Sequence, residues 1–382
     1  MSEPRNVTVN RRRLLAGAAA ISTFVAAPAI VRAQGAALKV GVLLPRSGAQ
    51  AGIGQDCFRG VELANPIFKS IGLPELEIMS ADTETNVEVA RSRAEKLIAD
   101  GAQLLMGAFD SGQSSAIAQV AEQKGIPFVI NIAAAPPITE QGYKFVFRNF
   151  PTAGMILSDA FANQKEVFAE TGVEPKSVVF LHVNDTFGMA MKNGVGAVMP
   201  KFNMPYTIKE TISYDPTARD LSVEVSRAKA SGAEALLMVS RLNDAILITR
   251  ELVKQRWSPM GVLSMGPGWY EDQYLKTLGK KYPEINLNTN HIYTFEALLI
   301  AADAYKRAGS TDPKALADAI RATDIKDNVS TGPGIAFNAK GQNDKLKNSA
   351  IQNRGGKLVT VAPKGATNAK AEWPMPAYDK RG

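Results

Sequence analysis

From residue 38 onward, short apolar β-rich runs alternate with stretches in which apolar residues recur at helical spacing. Residues 38–44 read as a strand, and 53–71 as a helix with Phe58, Val61, Ala64 and Phe68 along one face. Strands at 76–81, 104–109, 127–132 and 145–150, with helices at 87–99 and 114–124, continue the rhythm. Such alternation predicts a parallel sheet with helices on both faces. After residue 150 the pattern starts again. Strands are expected at 178–183, 207–213, 235–239 and 261–265, with helices at 189–199, 221–229 and 245–255. The fold class is therefore α/β, with two doubly wound, Rossmann-like lobes and a boundary near Pro151.

The last quarter of the chain is less regular. Helical periodicity covers 293–307 and 313–322, and Asp312-Pro313 supplies a cap and a first-turn proline that needs no N–H. The Gly355-Gly356 pair between Ile351 and Val361 reads as a hairpin turn, and 366–382 as a loose tail rich in Pro, Ala and Lys. The lobes are expected to be discontinuous: 36–152 with 290–334 for the first, 153–289 with 335–365 for the second.

Ahead of this pattern stands a segment of different character. Arg11-Arg12-Arg13, an Ala-rich uncharged run from Leu14 to Val31, and Val31-Arg32-Ala33 have the layout of a secretory signal cleaved near Ala33. Leu14 and Leu15 after the arginines are compatible with twin-arginine export as well as the general route. Pro28 and the Ala/Gly content make a poor spanning helix, which argues against an anchor. The protein is expected to be exported. The leader holds five Arg and one Glu, so most of the net charge of +7 belongs to it. What remains is nearly balanced and scattered, with no patch for nucleic acid. The single cysteine, Cys57, excludes an internal disulfide and is expected as a small buried residue on a helix.

The chemistry of an enzyme is not visible. His182 and His291 have no second His or Cys at i+3 or i+4, and neither a Gly-x-Ser-x-Gly elbow nor a phosphate-cradling lysine loop occurs. Gly266-Pro267-Gly268 and Gly332-Pro333-Gly334 read as turns. No cofactor is called for.

Binding is better supported. In doubly wound sheets, ligands sit beyond the carboxyl ends of the strands. The strand at 104–109 runs into Asp110-Ser111-Gly112-Gln113-Ser114-Ser115 and a helix, whose free N–H groups and Ser hydroxyls form a carboxylate cradle or a plain N-cap. Gly112 allows close approach. The next strand ends in Ala133-Ala134-Ala135-Pro136-Pro137, small residues that leave room for a ligand or make a tight loop.

Several segments in order resemble the periplasmic leucine/isoleucine/valine-binding proteins. They are 40–45 with Ser47-Gly48, 107–115, Gly125-Ile126-Pro127, 133–139, Asn184-Asp185-Thr186-Phe187-Gly188, Tyr214-Asp215-Pro216-Thr217 with Asp220, and 308–313. The likeness spans residues 38–362. It implies the type I periplasmic binding protein fold, with two lobes joined by three hinge strands. It further implies a monomeric receptor that closes on a small carboxylate ligand and delivers it to an ABC transporter permease. A sensor of the same fold is the alternative.

By this resemblance Ser111 is the serine that holds the ligand carboxylate, and Ala133 and Ala134 match the Ala-Thr segment beside it. Ile53 falls where the family often places an aromatic, Arg241 at a tyrosine, and Gly268, flanked by Trp269, at the acid that pairs with an ammonium group. Asp110 is available as a negative partner or as a helix cap. An ammonium without a paired carboxylate is costly to bury, and Arg241 offers a planar fork to an anion. The expected ligand is accordingly an aromatic or 2-oxo acid, with Trp269 and Tyr270 as an aromatic wall. A strand–helix unit is expected to be missing near 275–283, leaving one hinge crossing to 283–288.

Overall fold

The computed structural model describes residues 37–269, 288–355, 357–377 and 380. The leader, Tyr270, the stretch at 275–283 expected to lack a strand–helix unit and the crossing expected over 283–287 lie outside the described residues. In the first lobe, β1 (Lys39–Leu44), β2 (Glu77–Asp82), β3 (Leu104–Gly107), β4 (Phe128–Ile130) and β5 (Val146–Arg148) form a parallel sheet ordered β2-β1-β3-β4-β5. Helix α1 (Ala51–Ser70) buries Ile53, Cys57, Val61, Ala64 and Phe68, a stripe at spacings of three and four. That stripe packs on a late helix at Thr289–Ala308, with the Phe68 and Phe295 rings 5.6 Å apart. Helices α2 (Val87–Ala99) and α3 (Ser111–Lys124) cover the opposite face through Ala90, Ala94, Ile117 and Ala121.

The second lobe repeats the scheme. Among the described residues its parallel sheet is ordered β7-β6-β8-β9, from β6 (Ser177–Val183), β7 (Thr207–Tyr214), β8 (Ala235–Val239) and β9 (Val262–Ser264). Helices α4 (Ala153–Thr171), α5 (Thr186–Val198), α6 (Ser222–Ala230) and α7 (Leu242–Lys254) flank it. The chain re-enters the first lobe as α8 (Thr289–Ala308) and α9 (Pro313–Arg321), whose cap is Asp312 accepting from Ala315 N at 2.9 Å. No helix among the described residues is long and apolar enough to cross a membrane.

Three sequence expectations need correction. Helix α4 had no counterpart, because Asn163 and Gln164 interrupt its apolar stripe. Both are buried and satisfied at a distance: Asn163 Nδ2 donates to Asn348 O at 3.1 Å, and Gln164 Oε1 accepts from Tyr206 Oη at 2.6 Å. The return to the second lobe comes later than residue 335, since Ile335 and Leu346 belong to the first lobe's core. The hairpin β10 (Ala350–Arg354) and β11 (Lys357–Ala362) then lies beside the second lobe's core through Val361 and Ala362. Finally, the tail is not loose as far as residue 377. Asn368 N donates to Thr360 O at 3.0 Å, Met375 N to Met260 O at 2.7 Å, and the Trp373 ring stands 5.3 Å from Phe168. One tryptophan anchors a segment whose composition carries no periodicity.

His182, one residue before the end of β6, is buried against Phe180 and donates from Nδ1 to Val183 O at 3.0 Å. Burial holds its pKa below the ordinary value of 6.5. The unfolded chain thus takes up a proton that the folded chain declines, so stability is full above that value and falls as pH drops through it. Melting curves between about pH 7.5 and pH 5.5 should show this loss, and His182→Phe should flatten it; an unchanged slope would assign the loss to other groups.

Candidate ligand site

The carboxyl ends of both sheets face one cavity of about 240 Å³. Gln50, Ile53, Thr85, Asp110, Gly112 and Gln113 line it from the first lobe. Asp185, Thr186, Thr217, Arg241, Asn243 and Asp244 line it from the second. The volume is just below the usual range for small-molecule sites, about 300–1,000 Å³, and fits a ligand of amino-acid size.

Each wall is built from a strand end that turns into a helix. After β3, Asp110 takes extended backbone and caps α3, its Oδ1 accepting from Gly112 N at 2.8 Å and Gln113 N at 3.1 Å. After β6, Asp185 does the same for α5, accepting from Gly188 N at 2.8 Å. After β8, Arg241 precedes α7, and its backbone N donates to Asp244 Oδ2 at 2.9 Å. Asp244 also accepts from Tyr214 Oη at 2.7 Å. Burial first and Asp244 second push the Tyr214 hydroxyl well above its ordinary pKa, which keeps it a donor.

The three strand ends meet at the Arg241 guanidinium. Its Nη2 lies 2.9 Å from Asp110 Oδ2 across the cleft, and its Nη1 contacts Asp185 Oδ2 within its own lobe. The side chains of Arg241 and Asp110 are 8 % and 11 % exposed, so this pair is almost fully dehydrated. Burial works against the guanidinium's charge, but Asp185 and Asp110 outweigh it and raise its pKa above the usual value. Gln50 Nε2 donates to Asp110 Oδ2 at 3.1 Å, and Asn243 Nδ2 crosses the cleft to Ala49 O at 2.8 Å. Leu242 and Ala245 of α7 join the apolar cluster that holds Ile53 and Tyr293. The lobes are thus closed on one another.

Of the residues expected at the site, Ile53, Asp110, Gly112 and Arg241 are brought together at the cavity. The others stand behind it. Ser111 is buried, with Oγ accepting from Ala135 N at 3.3 Å. Ala133 O accepts from Arg148 Nη1 at 3.0 Å, and Ala134 O from Ala153 N at 2.8 Å. Gly268 lies under α7, where a Cβ would stand 2.1 Å from Arg241 O, and Trp269 Nε1 donates to Ser240 Oγ at 2.8 Å. The expected carboxylate cradle at α3 is filled by Asp110 itself, and the expected free fork of Arg241 is engaged by two aspartates. Asp185, Asp244 and Gln50 were not anticipated. Asp185 and Asp244 carry a signal, since each is an acid in the first residues after a strand end; Gln50 carries none.

Two doubly wound lobes closed over a polar cavity at their strand ends define a solute-binding protein of the type I periplasmic fold. Residues 37–282 match the periplasmic binding protein family, and the chain belongs to it. That family is one of solute receptors of branched-chain-amino-acid-type ABC transporters and not an enzyme class. The chain is 25% identical to Leu/Ile/Val-binding protein homolog 8 of Brucella abortus (strain 2308), over 94% of this chain and 98% of that protein. The leucine-binding protein LivK of Thermotoga maritima MSB8 superposes with a TM-score of 0.71 at 20% identity, covering 85% of this chain and 98% of LivK. A solute-binding protein of an R. palustris ABC transporter, solved with benzoate, gives a TM-score of 0.67 at 19% identity over 91% of this chain and 99% of its own.

Proposed function

We propose that the protein, exported to the periplasm by its leader, receives a small polar solute in the interlobe cavity and delivers it as a monomer to an ABC transporter permease. The observation that carries this reading is the buried Arg241–Asp110 pair that joins the lobes over the cavity. A ligand that enters between these two groups trades one set of charge-assisted contacts for another, and closure follows its preference for the closed form.

The same pair decides between ligand classes. An aromatic or 2-oxo acid, the class favoured by the sequence, engages Arg241 but leaves Asp110 buried without its partner, a cost of several kcal/mol. A zwitterion gives Arg241 a carboxylate and Asp110 an ammonium, so both charges stay paired. The cavity's charged lining, one guanidinium against Asp110, Asp185 and Asp244, has room for an added positive charge. An amino acid or another amine-bearing solute is therefore the better supported ligand, and similar proteins have been solved with isoleucine (LivJ of Streptococcus pneumoniae) and with benzoate.

Thermal unfolding of the purified protein with a panel of amino acids, amines, aromatic acids and 2-oxo acids tests the reading. At a hundredfold excess over Kd a true ligand adds about 2.7 kcal/mol to the folded state. Stabilisation by an amine-bearing solute is the expected result. Stabilisation by acids alone would restore the acid-binding reading, and no response to any of them would remove the cavity from consideration as a site for these solutes.

A further inference from the structure

We infer that Asp110 is a specificity-determining residue that bars anionic solutes from the cleft, an inference that rests on the cavity being the ligand site. A helix N-terminus following a strand is a natural anion site, because its first N–H groups have no partner in the helix. In α3 the donors at Gly112 and Gln113 are already spent. Asp110 Oδ1 takes the N–H groups of Gly112 and Gln113 at 2.8 and 3.1 Å. Its second oxygen, Oδ2, takes Arg241 Nη2 at 2.9 Å and Gln50 Nε2 at 3.1 Å. The donors that converge at this end of the cavity therefore point at the chain's own carboxylate.

The far side offers no relief to an anion. In the ligand-free protein Arg241 has an aspartate on each of its η nitrogens, so an incoming carboxylate reaches its fork only by displacing Asp110, which a ligand with an amine re-pairs and a simple anion does not. Asp185 is fixed in place by Gly188 N–H at 2.8 Å, and Asp244 is held by Tyr214 and the Arg241 backbone. An entering anion meets three carboxylates; a group rich in N–H donors meets acceptors. One further acceptor stands ready: Gln50 Oε1 is buried with no hydrogen-bond partner among the described residues, on a carboxamide whose other end is tied to Asp110. Asp110 thus acts twice, occupying the helix end that an anion needs and neutralising the cation that an anion would seek.

Asp110→Asn tests this directly. Asparagine caps helices as well as aspartate, so the turn into α3 is retained while the charge is removed. Asp110→Ser, also a good cap, is the second variant should the first lower the melting temperature. Calorimetric titrations would use matched trios on leucine, phenylalanine and glutamine side chains: the amino acid amide, the amino acid and the 2-oxo acid. In the wild type the amide or amino acid of the best-fitting side chain should bind at least tenfold tighter than its 2-oxo acid. In Asp110→Asn the 2-oxo acid should gain at least tenfold and the amide lose at least tenfold. A wild type that prefers the 2-oxo acid, or a charge order unmoved by both substitutions, overturns the inference and leaves the receptor reading standing. If no compound binds the wild type or either variant, the cavity reading falls, and this inference with it.

Discussion

Replacing Arg148 by methionine should destabilise the protein by about 3 kcal/mol, because four buried acceptors lose their donor at once. Arg148 ends β5 and is fully buried. Its Nε donates to Gln342 Oε1 at 2.5 Å, its Nη1 to Ala133 O and Ala135 O at 3.0 and 2.7 Å, and its Nη2 to Thr139 Oγ1 at 2.7 Å. One side chain therefore fixes the loop after β4 and ties it to the late segment at Gln342. An unsatisfied buried acceptor costs about 1–3 kcal/mol. Part of this is offset, since the charge itself is buried at a cost: desolvation pushes the Arg148 pKa down to about 10. The urea midpoint would record the loss, and Arg148→Lys should recover little of it, since a single ammonium cannot reach the four acceptors. A midpoint within error of the wild type would show that the loop repacks without the guanidinium.

Arg241→Met should open the ligand-free protein. Removing one partner of a buried ion pair costs about 3–5 kcal/mol while the other stays buried. Here Asp110 and Asp185 have an exit, because separation of the lobes returns both to water. The energy is then expressed as opening and not as unfolding. The ratio of closed to open molecules should fall at least a hundredfold, about 2.8 kcal/mol at 1.4 kcal/mol per decade. Small-angle X-ray scattering of wild type and variant would show it as a larger radius of gyration with an unchanged melting temperature. Equal radii would mean that Leu242 and Ala245, packed against the first lobe's core, hold the lobes together by themselves.

Several elements were legible along the chain because their causes are local. The period of Ile53, Cys57, Val61, Ala64 and Phe68 is a property of one helix, and β8 and α2 lie where alternation and spacing put them. Asp312-Pro313 announces its helix for the same reason. Helix α4 was hidden because its polar residues Asn163 and Gln164 are satisfied by partners 185 and 42 residues away. The tail shows no pattern along the chain because its order rests on one aromatic contact and a few backbone hydrogen bonds to distant residues.

The two-lobed α/β architecture, the family and the strand ends that line the cavity are written along the chain. These follow from hydrophobic periodicity, from helix caps, and from motifs whose order along the chain is their own signature. What the residues at those ends do is set by how the lobes pack. Asp110 and Arg241 are 131 residues apart and belong to different lobes. Whether one is a cap, a ligand contact or the other's counter-ion depends on a distance of a few ångströms set by two sheets closing on each other. Ser111, Ala133 and Gly268 follow the ends of β3, β4 and β9, yet their atoms serve the backbone behind the cavity. Charge and hydrogen-bonding groups act through space, and the chain order does not encode which of them will be dehydrated together.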